Sequence, residues 1–371
     1  MNILKFEGEN FRNLLNFVIE PDKNNIIVGN NAQGKTNLIE AIWLFTGFKS
    51  FRGSKDNEFA CFEKDYAKLN MQYNDDIRNI KANLDIINTE NGTVKKAKYN
   101  NVTLKSTSGF ISKFKCCAFS PVHLNIVGDG PGIRRRFLDT AISQLRPDYA
   151  VKTLEYEKII KQRNVLLRNY TGKNSLPDTL CIWDEQLAKI GTLIHLLRRD
   201  YVKKLNKFAK EIYSEICMDK EILNIEYSSS VFDDYDTKDE YSQQNIDYYY
   251  KKLQQSQKQD LNIGSTRIGI HRDDLLLNIN DISVKTYGSQ GQKRSTVLAL
   301  KMGEAAVIRE ISKTQPIILL DDVLSELDNY RKDYILNNIK DSQVFLTSCD
   351  TESIVSLKSG KVFYVNEGRI N

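Results

Sequence analysis

The sequence predicts an α/β fold in which mixed sheets surround a phosphate-binding loop and a helical lobe is inserted into the chain. Three observations predict it. The glycine loop Gly29-Asn30-Asn31-Ala32-Gln33-Gly34-Lys35-Thr36 follows the apolar run Ile26-Ile27-Val28 and precedes residues at helical spacing. A second apolar run, Ile317-Ile318-Leu319-Leu320, ends in Asp321-Asp322 near the other end of the chain. Between the two, from Ile133 to about Cys217, the pattern is helical.

Bulk composition sets the limits. A chain of 371 residues suits two or three domains, and 41% hydrophobic with 27% charged residues marks an ordinary globular protein rather than a disordered one. The net charge of +5 is too small to identify a nucleic-acid partner by itself, yet it allows a local basic groove. The six cysteines show no C-x-x-C pair and no histidine at ligand spacing, so reduced, buried thiols are expected rather than a zinc site. Charge interrupts the apolar residues of Met1-Asn2-Ile3-Leu4-Lys5-Phe6-Glu7, and no run of 18 apolar residues occurs, so a cytoplasmic protein without a membrane partner is expected.

In chain order, residues 2–20 alternate apolar and polar and read as strands leading to Val28. The loop matches G-x-x-x-x-G-K-[ST], whose backbone N–H groups wrap nucleotide phosphates. Lys35 would reach the β and γ phosphates, and the Thr36 hydroxyl would hold Mg²⁺. Gly29, Asn30, Asn31, Ala32, Gln33, Gly34, Lys35, Thr36 and the following Asn37 are therefore the candidate nucleotide contacts. A helix is expected from Thr36 to Phe45, stopping at Gly47, and then a basic, aromatic loop, Lys49-Ser50-Phe51-Arg52-Gly53. Residues 67–87 alternate as strands, and Asn91-Gly92 reads as the two-residue turn of a hairpin returning through Val94 and Ala97.

The character changes at Phe119-Ser120-Pro121 and at Gly128-Asp129-Gly130-Pro131-Gly132. Helical spacing then runs through Tyr156, Ile159, Ile160, Leu166 and Leu167 and through Trp183, Leu187, Ile190, Ile194 and Leu197. No heptad is sustained, so no long coiled coil is expected. Residues 228–260 are polar and tyrosine-rich, which predicts a loop and then a solvated helix. His271-Arg272-Asp273-Asp274 reads either as a turn with internal salt bridges or as a lining of the nucleotide site. Ser289-Gln290-Gly291-Gln292 leads into a further helix, and residues 344–348 and 362–365 read as strands. The expected organisation is an ATPase core from residues 1–125 and 262–371, with 126–261 as the inserted helical lobe.

An apolar strand ending in an acid supplies the other half of a phosphate-loop site, because Mg²⁺ between β and γ phosphates needs a carboxylate held on the neighbouring strand. Asp321 fits that position and, with Thr36, would hold the metal. Asp322 would lie beside the γ-phosphate and orient the attacking water, so Asp322 and Lys35 are the candidate catalytic residues. The separation of Lys35 from Asp321 is several times what a minimal ATPase core needs, so something is inserted between the halves.

That arrangement, with Ser289-Gln290-Gly291-Gln292 before a helix and Ser325-Glu326-Leu327-Asp328 after the acids, resembles the ATP-binding-cassette ATPases of the SMC type. The resemblance implies an ABC/SMC-head-like fold in which the Ser-x-Gly-Gln signature of one subunit binds the γ-phosphate held by another. Ser289, Gly291, Gln292 and Asp328 would then touch ATP across a homodimer interface. A serine hydroxyl and free amides at a helix N-terminus suit an anionic phosphate.

Within that superfamily the chain resembles the RecF family of bacterial DNA gap-repair and recombination-mediator proteins. Asn10-Phe11-Arg12-Asn13, Gly34-Lys35-Thr36-Asn37-Leu38-Ile39-Glu40-Ala41-Ile42, Ser50-Phe51-Arg52 and Phe119-Ser120-Pro121 carry the resemblance in the first part. Arg135-Arg136-Phe137-Leu138-Asp139, Lys161-Gln162-Arg163-Asn164, Trp183-Asp184, His271-Arg272-Asp273-Asp274 and Leu319-Leu320-Asp321-Asp322-Val323-Leu324-Ser325-Glu326-Leu327-Asp328 continue it. It implies ATP and Mg²⁺ as cofactors and an ATP-dependent dimer that binds DNA at single-strand/double-strand gaps. It further implies slow hydrolysis that works as a switch, with RecO and RecR as partners in loading RecA. Arg and Lys neutralise phosphates without reading sequence, so Arg52, Arg134, Arg135, Arg136, Lys161 and Arg163 are the candidate DNA contacts. Three adjacent arginines on a helix cannot all point one way, so one or two are expected in internal ion pairs.

Two departures from the family pattern stand out. Pro121-Val122-His123-Leu124 replaces Pro-Glu-Asp-Leu, and His123 is expected to be a surface histidine rather than a nucleotide sensor. Asn30 and Ala32 replace Glu and Gly, both at unrestricted positions of the loop motif. The alternatives are the ATPase subunit of a transporter or a chromosome-structure ATPase without a coiled coil. Against the first, the signature lies far beyond its usual place after the loop and no switch histidine follows Thr347-Ser348.

Overall fold

The computed structural model describes residues 1–170, 176–233, 240–349 and 360–371. It divides into two compact units, Met1–Leu124 with Val297–Asn371, and Asn125–Thr296. The acidic stretch Asp234-Tyr235-Asp236, read above as loop, lies outside the described residues.

The first unit opens with β1 (Asn2–Phe11) and β2 (Leu14–Ile19), followed by β3 (Asn24–Val28) and helix α1 (Lys35–Trp43). Next come β4 (Tyr66–Asn74), β5 (Asn79–Thr89), β6 (Gly92–Tyr99), β7 (Val102–Leu104) and β8 (Cys116–Phe119). The second unit holds α2 (Asn125–Gly128), α3 (Pro131–Leu145), α4 (Pro147–Arg168), α5 (Leu176–Cys217), β9 (Leu223–Ser228), α6 (Gln243–Ile263), β10 (Asp274–Ile279), β11 (Ile282–Ser283) and α7 (Val284–Tyr287). The division falls within α8 (Gln290–Ser312), after which β12 (Ile317–Leu320), α9 (Asn329–Asn338), β13 (Val344–Ser348), β14 (Lys361–Asn366) and β15 (Arg369–Ile370) complete the first unit.

Two six-stranded sheets build the first unit. One is antiparallel, in the order β2-β1-β4-β5-β6-β7. Its alternation sets its register: the buried residues Leu69, Met71 and Tyr73 of β4 face the buried Leu84, Ala82 and Ile80 of β5. The other has the order β15-β14-β3-β13-β12-β8 and is parallel except for β15. Of its central strands, β12 is apolar throughout because both faces are covered, while β3 starts with Asn24-Asn25 before its apolar run and β13 ends in Thr347-Ser348 after its own. Leu38, Ile39 and Ile42 of α1 join Phe6, Phe11, Phe45, Ile27, Leu319 and Phe345 in one core cluster.

The hairpin between β5 and β6 is shifted by one residue from the expected turn. Thr89 pairs with Gly92, so Glu90 and Asn91 form the loop and Gly92 takes the left-handed φ of 118°. The loop keeps its expected length of two residues, and the left-handed glycine follows it rather than lying within it.

In the second unit the 42 residues of α5 form a single helix, about 63 Å long at 1.5 Å per residue. The helix expected to be solvated, α6, is amphipathic instead: Asn245, Ile246, Tyr249, Leu253 and Asp260 are buried along one face. A small antiparallel sheet, β11-β10-β9, pairs residues 274–283 with one another and with β9. That pairing draws this stretch into the helical unit, so the structure divides near residue 296 rather than near 261. Among the described residues, no helix is long and apolar enough to cross a membrane.

Candidate nucleotide site

The glycine loop joins the buried end of β3 to α1, and its two outer glycines are required by space. A Cβ on Gly29 would lie 2.3 Å from the Val365 carbonyl oxygen. Gly34 has a φ of 119°, and its Cβ would meet Asn13 Oδ1 at 2.7 Å. Ala32 takes a left-handed φ of 65°, and its carbonyl accepts a hydrogen bond from the Asn13 side-chain amide at 3.2 Å. Lys35 is buried within the loop, where Nζ donates to the Gly29 carbonyl at 2.6 Å and the Asn30 carbonyl at 3.0 Å. Cys349, past the end of β13, approaches Lys35 Nζ at 3.5 Å and Asn31 Oδ1 at 2.9 Å. Gln33 Oε1 accepts from the Glu367 amide at 2.6 Å.

The two halves of the expected site meet. Thr36 Oγ1 donates to Asp321 Oδ1 at 2.8 Å. They meet across a strand, however, which corrects the expectation that the acid lies on the neighbouring strand: β13 intervenes between β3 and β12. The gap of two strand spacings, about 9.5 Å, is closed by side chains rather than by adjacency. Thr347, buried at the end of β13, donates from Oγ1 to Asp321 Oδ1 at 3.0 Å and accepts from the Asp322 amide at 2.8 Å. Burial raises the Asp321 pKa and the charge of Asp322 adds to this, while the hydroxyls of Thr36 and Thr347 and the charge of Arg52 pull it down.

Asp322 is exposed and has a left-handed φ of 52°. The Ser325 hydroxyl lies 2.9 Å from the Asp322 carbonyl and 3.1 Å from its Oδ1. Among the described residues, no cluster of His, Cys, Asp and Glu could cage a metal by itself. The donor set nevertheless fits Mg²⁺, which keeps several waters and takes one or two protein oxygens beside substrate phosphates. Thr36 Oγ1 retains lone pairs while its hydrogen is donated, and Asp321 Oδ2 has no protein hydrogen bond among the described residues.

Sequence reasoning missed the support beneath the loop. Glu40 is fully buried in α1 and takes Arg12 in a two-pronged ion pair, Nε to Oε2 at 2.5 Å and Nη2 to Oε1 at 3.1 Å. The Ser50 hydroxyl also bonds Glu40. Arg52 Nη1 donates to Asn37 Oδ1 at 3.0 Å and lies 3.7 Å from Glu40, while Asn37 Nδ2 donates to Asn13 Oδ1 at 2.7 Å. Arg52, expected at DNA, therefore stands beside the first turn of α1. The signal was present in Arg12-Asn13, Glu40 and Ser50-Phe51-Arg52, but nothing local in the sequence says that these segments touch.

His123 is not a surface histidine. It is half-buried, its Nδ1 accepts from the Ser120 amide at 3.1 Å, and its ring lies 6.0 Å from that of Phe51. Burial and the nearby charge of Lys301 push its pKa down to about 3, so it is neutral near pH 7. Asp328 caps α9 by accepting from the Arg331 amide at 2.9 Å, which holds its carboxyl below the ordinary carboxylate pKa.

Ser289, Gly291 and Gln292 belong to the other unit. Ser289 and Gln292 form a reciprocal capping box at the start of α8: the Gln292 amide donates to Ser289 Oγ at 3.2 Å and the Ser289 amide to Gln292 Oε1 at 2.8 Å. Gln292 Nε2 also reaches Glu221 Oε1 at 2.8 Å. The serine oxygen is used as an acceptor, and among the described residues its hydrogen has no acceptor.

The candidate DNA set needs correction. Arg134 is buried and donates to both carboxylate oxygens of Asp274, at 2.7 and 2.8 Å, and to the carbonyls of Ile126 and Asp129. Arg163 has no exposed surface and donates to Asp184 at 2.7 Å and Asp260 at 2.8 Å. Both are structural ion pairs closed to DNA. Arg135 is half-buried against the Asp273 carbonyl, whereas Arg136 and Lys161 are exposed. His271-Arg272-Asp273-Asp274 resolves as a structural turn within the helical unit. The Asp273 carboxylate takes the Tyr227 hydroxyl and the Ser230 amide, and Asp274 takes Arg134.

Known proteins resemble this chain over its whole length. The family described as the AAA ATPase domain matches residues 1–344. A DNA replication and repair protein RecF of Clostridium perfringens (strain SM101 / Type A) is 40% identical, covering 100% of this chain and 99% of that protein. Its counterpart in Clostridium acetobutylicum is 38% identical over 98% of this chain and 97% of its own length. A solved structure of the recombination mediator protein RecF with ATP, in the RecFOR pathway, superposes with a TM-score of 0.88 at 34% identity, covering 100% of this chain and 98% of that one. An SMC head bound to the C-winged helix domain of ScpA shares the fold, with a TM-score of 0.53 at 13% identity, covering 100% of this chain and 97% of that one.

Proposed function

This chain belongs to the RecF family of DNA replication and repair proteins, and from that premise we propose that its ATPase site switches a DNA-binding dimer during recombinational gap repair. The observation that carries the reading is the bond from Thr36 to Asp321, which joins the phosphate loop and the acidic strand end into one site. Lys35 and the loop amides would bind the β and γ phosphates, and Thr36 and Asp321 would hold a Mg²⁺, which would neutralise phosphate charge. Asp322, turned to solvent by its left-handed backbone, orients the attacking water.

The signature at the start of α8 completes the reading. Its capping box presents the Ser289 hydroxyl hydrogen and the free amides of a helix N-terminus, chemistry suited to the γ-phosphate held by a second copy of the chain. Two ATP molecules then close a dimer that clamps DNA near a gap, hydrolysis reopens it slowly, and RecO and RecR act with it in loading RecA. Arg136 and Lys161, the exposed members of the basic set, meet phosphates without reading sequence.

The test is sedimentation with gapped and with fully duplex DNA, each with and without ATP, for the natural chain and for Lys35→Ala. The natural chain should dimerise and bind gapped DNA only with ATP, and Lys35→Ala should do neither. A Lys35→Ala chain that still dimerises with ATP overturns the sandwich, and DNA binding indifferent to ATP overturns the switch.

A further inference from the structure

The strand between the two halves of the site has a part of its own. β13 pairs with β3 through Ser348↔Val28 and with β12 through Leu346↔Leu320, so its end stands between the glycine loop and the acids. Among the described residues Thr347, only 2% exposed, is the one whose side chain bonds both acids. Its hydroxyl is used in both directions: the hydrogen goes to Asp321 Oδ1 and the oxygen receives the Asp322 amide.

We propose that Thr347 is a positioning residue that sets both acids for nucleotide hydrolysis, an inference that rests on the ATPase reading above. Asp321 Oδ1 accepts two hydroxyl hydrogens, from Thr36 at 2.8 Å and Thr347 at 3.0 Å. With that oxygen filled, Oδ2 is the one left for a cation or its water. The bond from the Asp322 amide holds that residue at φ 52°, a conformation that a non-glycine side chain adopts at a cost. It is this turn that leaves Asp321 buried and Asp322 exposed, although the two are consecutive. One hydroxyl thus fixes which oxygen of the first acid is free and where the second acid points.

The test compares Thr347→Val, which keeps the shape and loses the hydroxyl, with Thr347→Ser, which keeps the hydroxyl. ATP affinity is measured with and without Mg²⁺, together with kcat and the Mg²⁺ concentration for half-maximal rate, and thermal melting checks folding. Thr347→Val should bind ATP without Mg²⁺ as the natural chain does, need more Mg²⁺, and lose roughly ten- to a hundredfold in kcat, the range for one hydrogen bond to a charged group. Thr347→Ser should restore both. A Thr347→Val chain with natural kcat and Mg²⁺ requirement overturns the proposal, as does one that loses Mg²⁺-free binding equally or is not rescued by serine. If Thr347→Val does not fold, Thr347→Ser alone decides: a kcat far below the natural value would show that the hydroxyl is not what matters. A natural chain that neither binds nor hydrolyses ATP removes the ATPase reading itself, a separate failure.

Discussion

Arg163 shows how much a single side chain can be tied into a fold. Removing its guanidinium leaves Asp184 and Asp260, both buried, without the counter-charge they share. Arg163→Ala should therefore lose about 3–5 kcal/mol in urea denaturation, whereas Arg136→Ala and Lys161→Ala should stay within about 0.5 kcal/mol of the natural chain. If the two exposed residues meet DNA phosphates, each substitution should also lower the slope of log affinity against log salt by about 0.9. A stable Arg163→Ala chain, or salt slopes unchanged by the other two, would sink the division of the basic set. The division was only partly legible in the sequence. That Arg134, Arg135 and Arg136 must face different ways follows from helical geometry. Which one faces inward depends on Asp274, which is 140 residues away. The glycine loop was legible because its chemistry is contiguous; Arg12 against Glu40 was not, because the contact is tertiary.

The elements divide in the same way. Alternation marked the strands of the antiparallel sheet, and unbroken apolar runs marked β3, β12 and β13, but no local pattern encodes strand order, so the place of β13 between β3 and β12 stayed hidden. The start of α8 poses a sharper problem, because its signature is also a helix cap. Ser289→Ala removes the acceptor for the Gln292 amide and should cost about 1 kcal/mol through the cap alone. Ser289→Asp separates the two roles: a carboxylate caps a helix and suits the positive end of its dipole, yet it repels a phosphate. Ser289→Asp should melt no lower than the natural chain and bind ATP as a monomer, but fail to sediment as a dimer with ATP. A Ser289→Asp dimer formed with ATP would leave the signature with capping as its only role.

For the molecule as a whole, the inserted lobe was legible from the change of pattern after Phe119, while its far boundary was displaced because β10 pairs with β9 rather than with the core. The lobe also contains two of the chain's three histidines, and all three are withdrawn from solvent. Burial pushes the pKa of His195 down to about 3 and that of His271 to about 4, alongside about 3 for His123. Among the described residues His195 has no hydrogen-bond partner, its ring packs 4.3 Å from that of Phe232, and the charges of Arg199 and Arg198 add to the effect of burial. Each folded pKa lies below the unfolded value of about 6.5, so between these limits the unfolded chain holds more protons than the folded one. The stability they contribute is complete above pH 6.5 and is lost as pH falls towards 4, at about 1.4 kcal/mol per pH unit for each histidine once the unfolded ring is fully charged. The buried carboxyls of Asp184, Asp273, Glu304 and Asp321 act in the opposite sense, because burial raises their pKa and protonation then favours the fold. Thermal melting should therefore drop between pH 7 and pH 5.5, and His195→Leu, which removes one proton site without leaving a charge, should flatten that slope by about a third while raising stability at the acidic end. A slope that His195→Leu leaves unchanged would mean that His195 carries its charge in the folded protein.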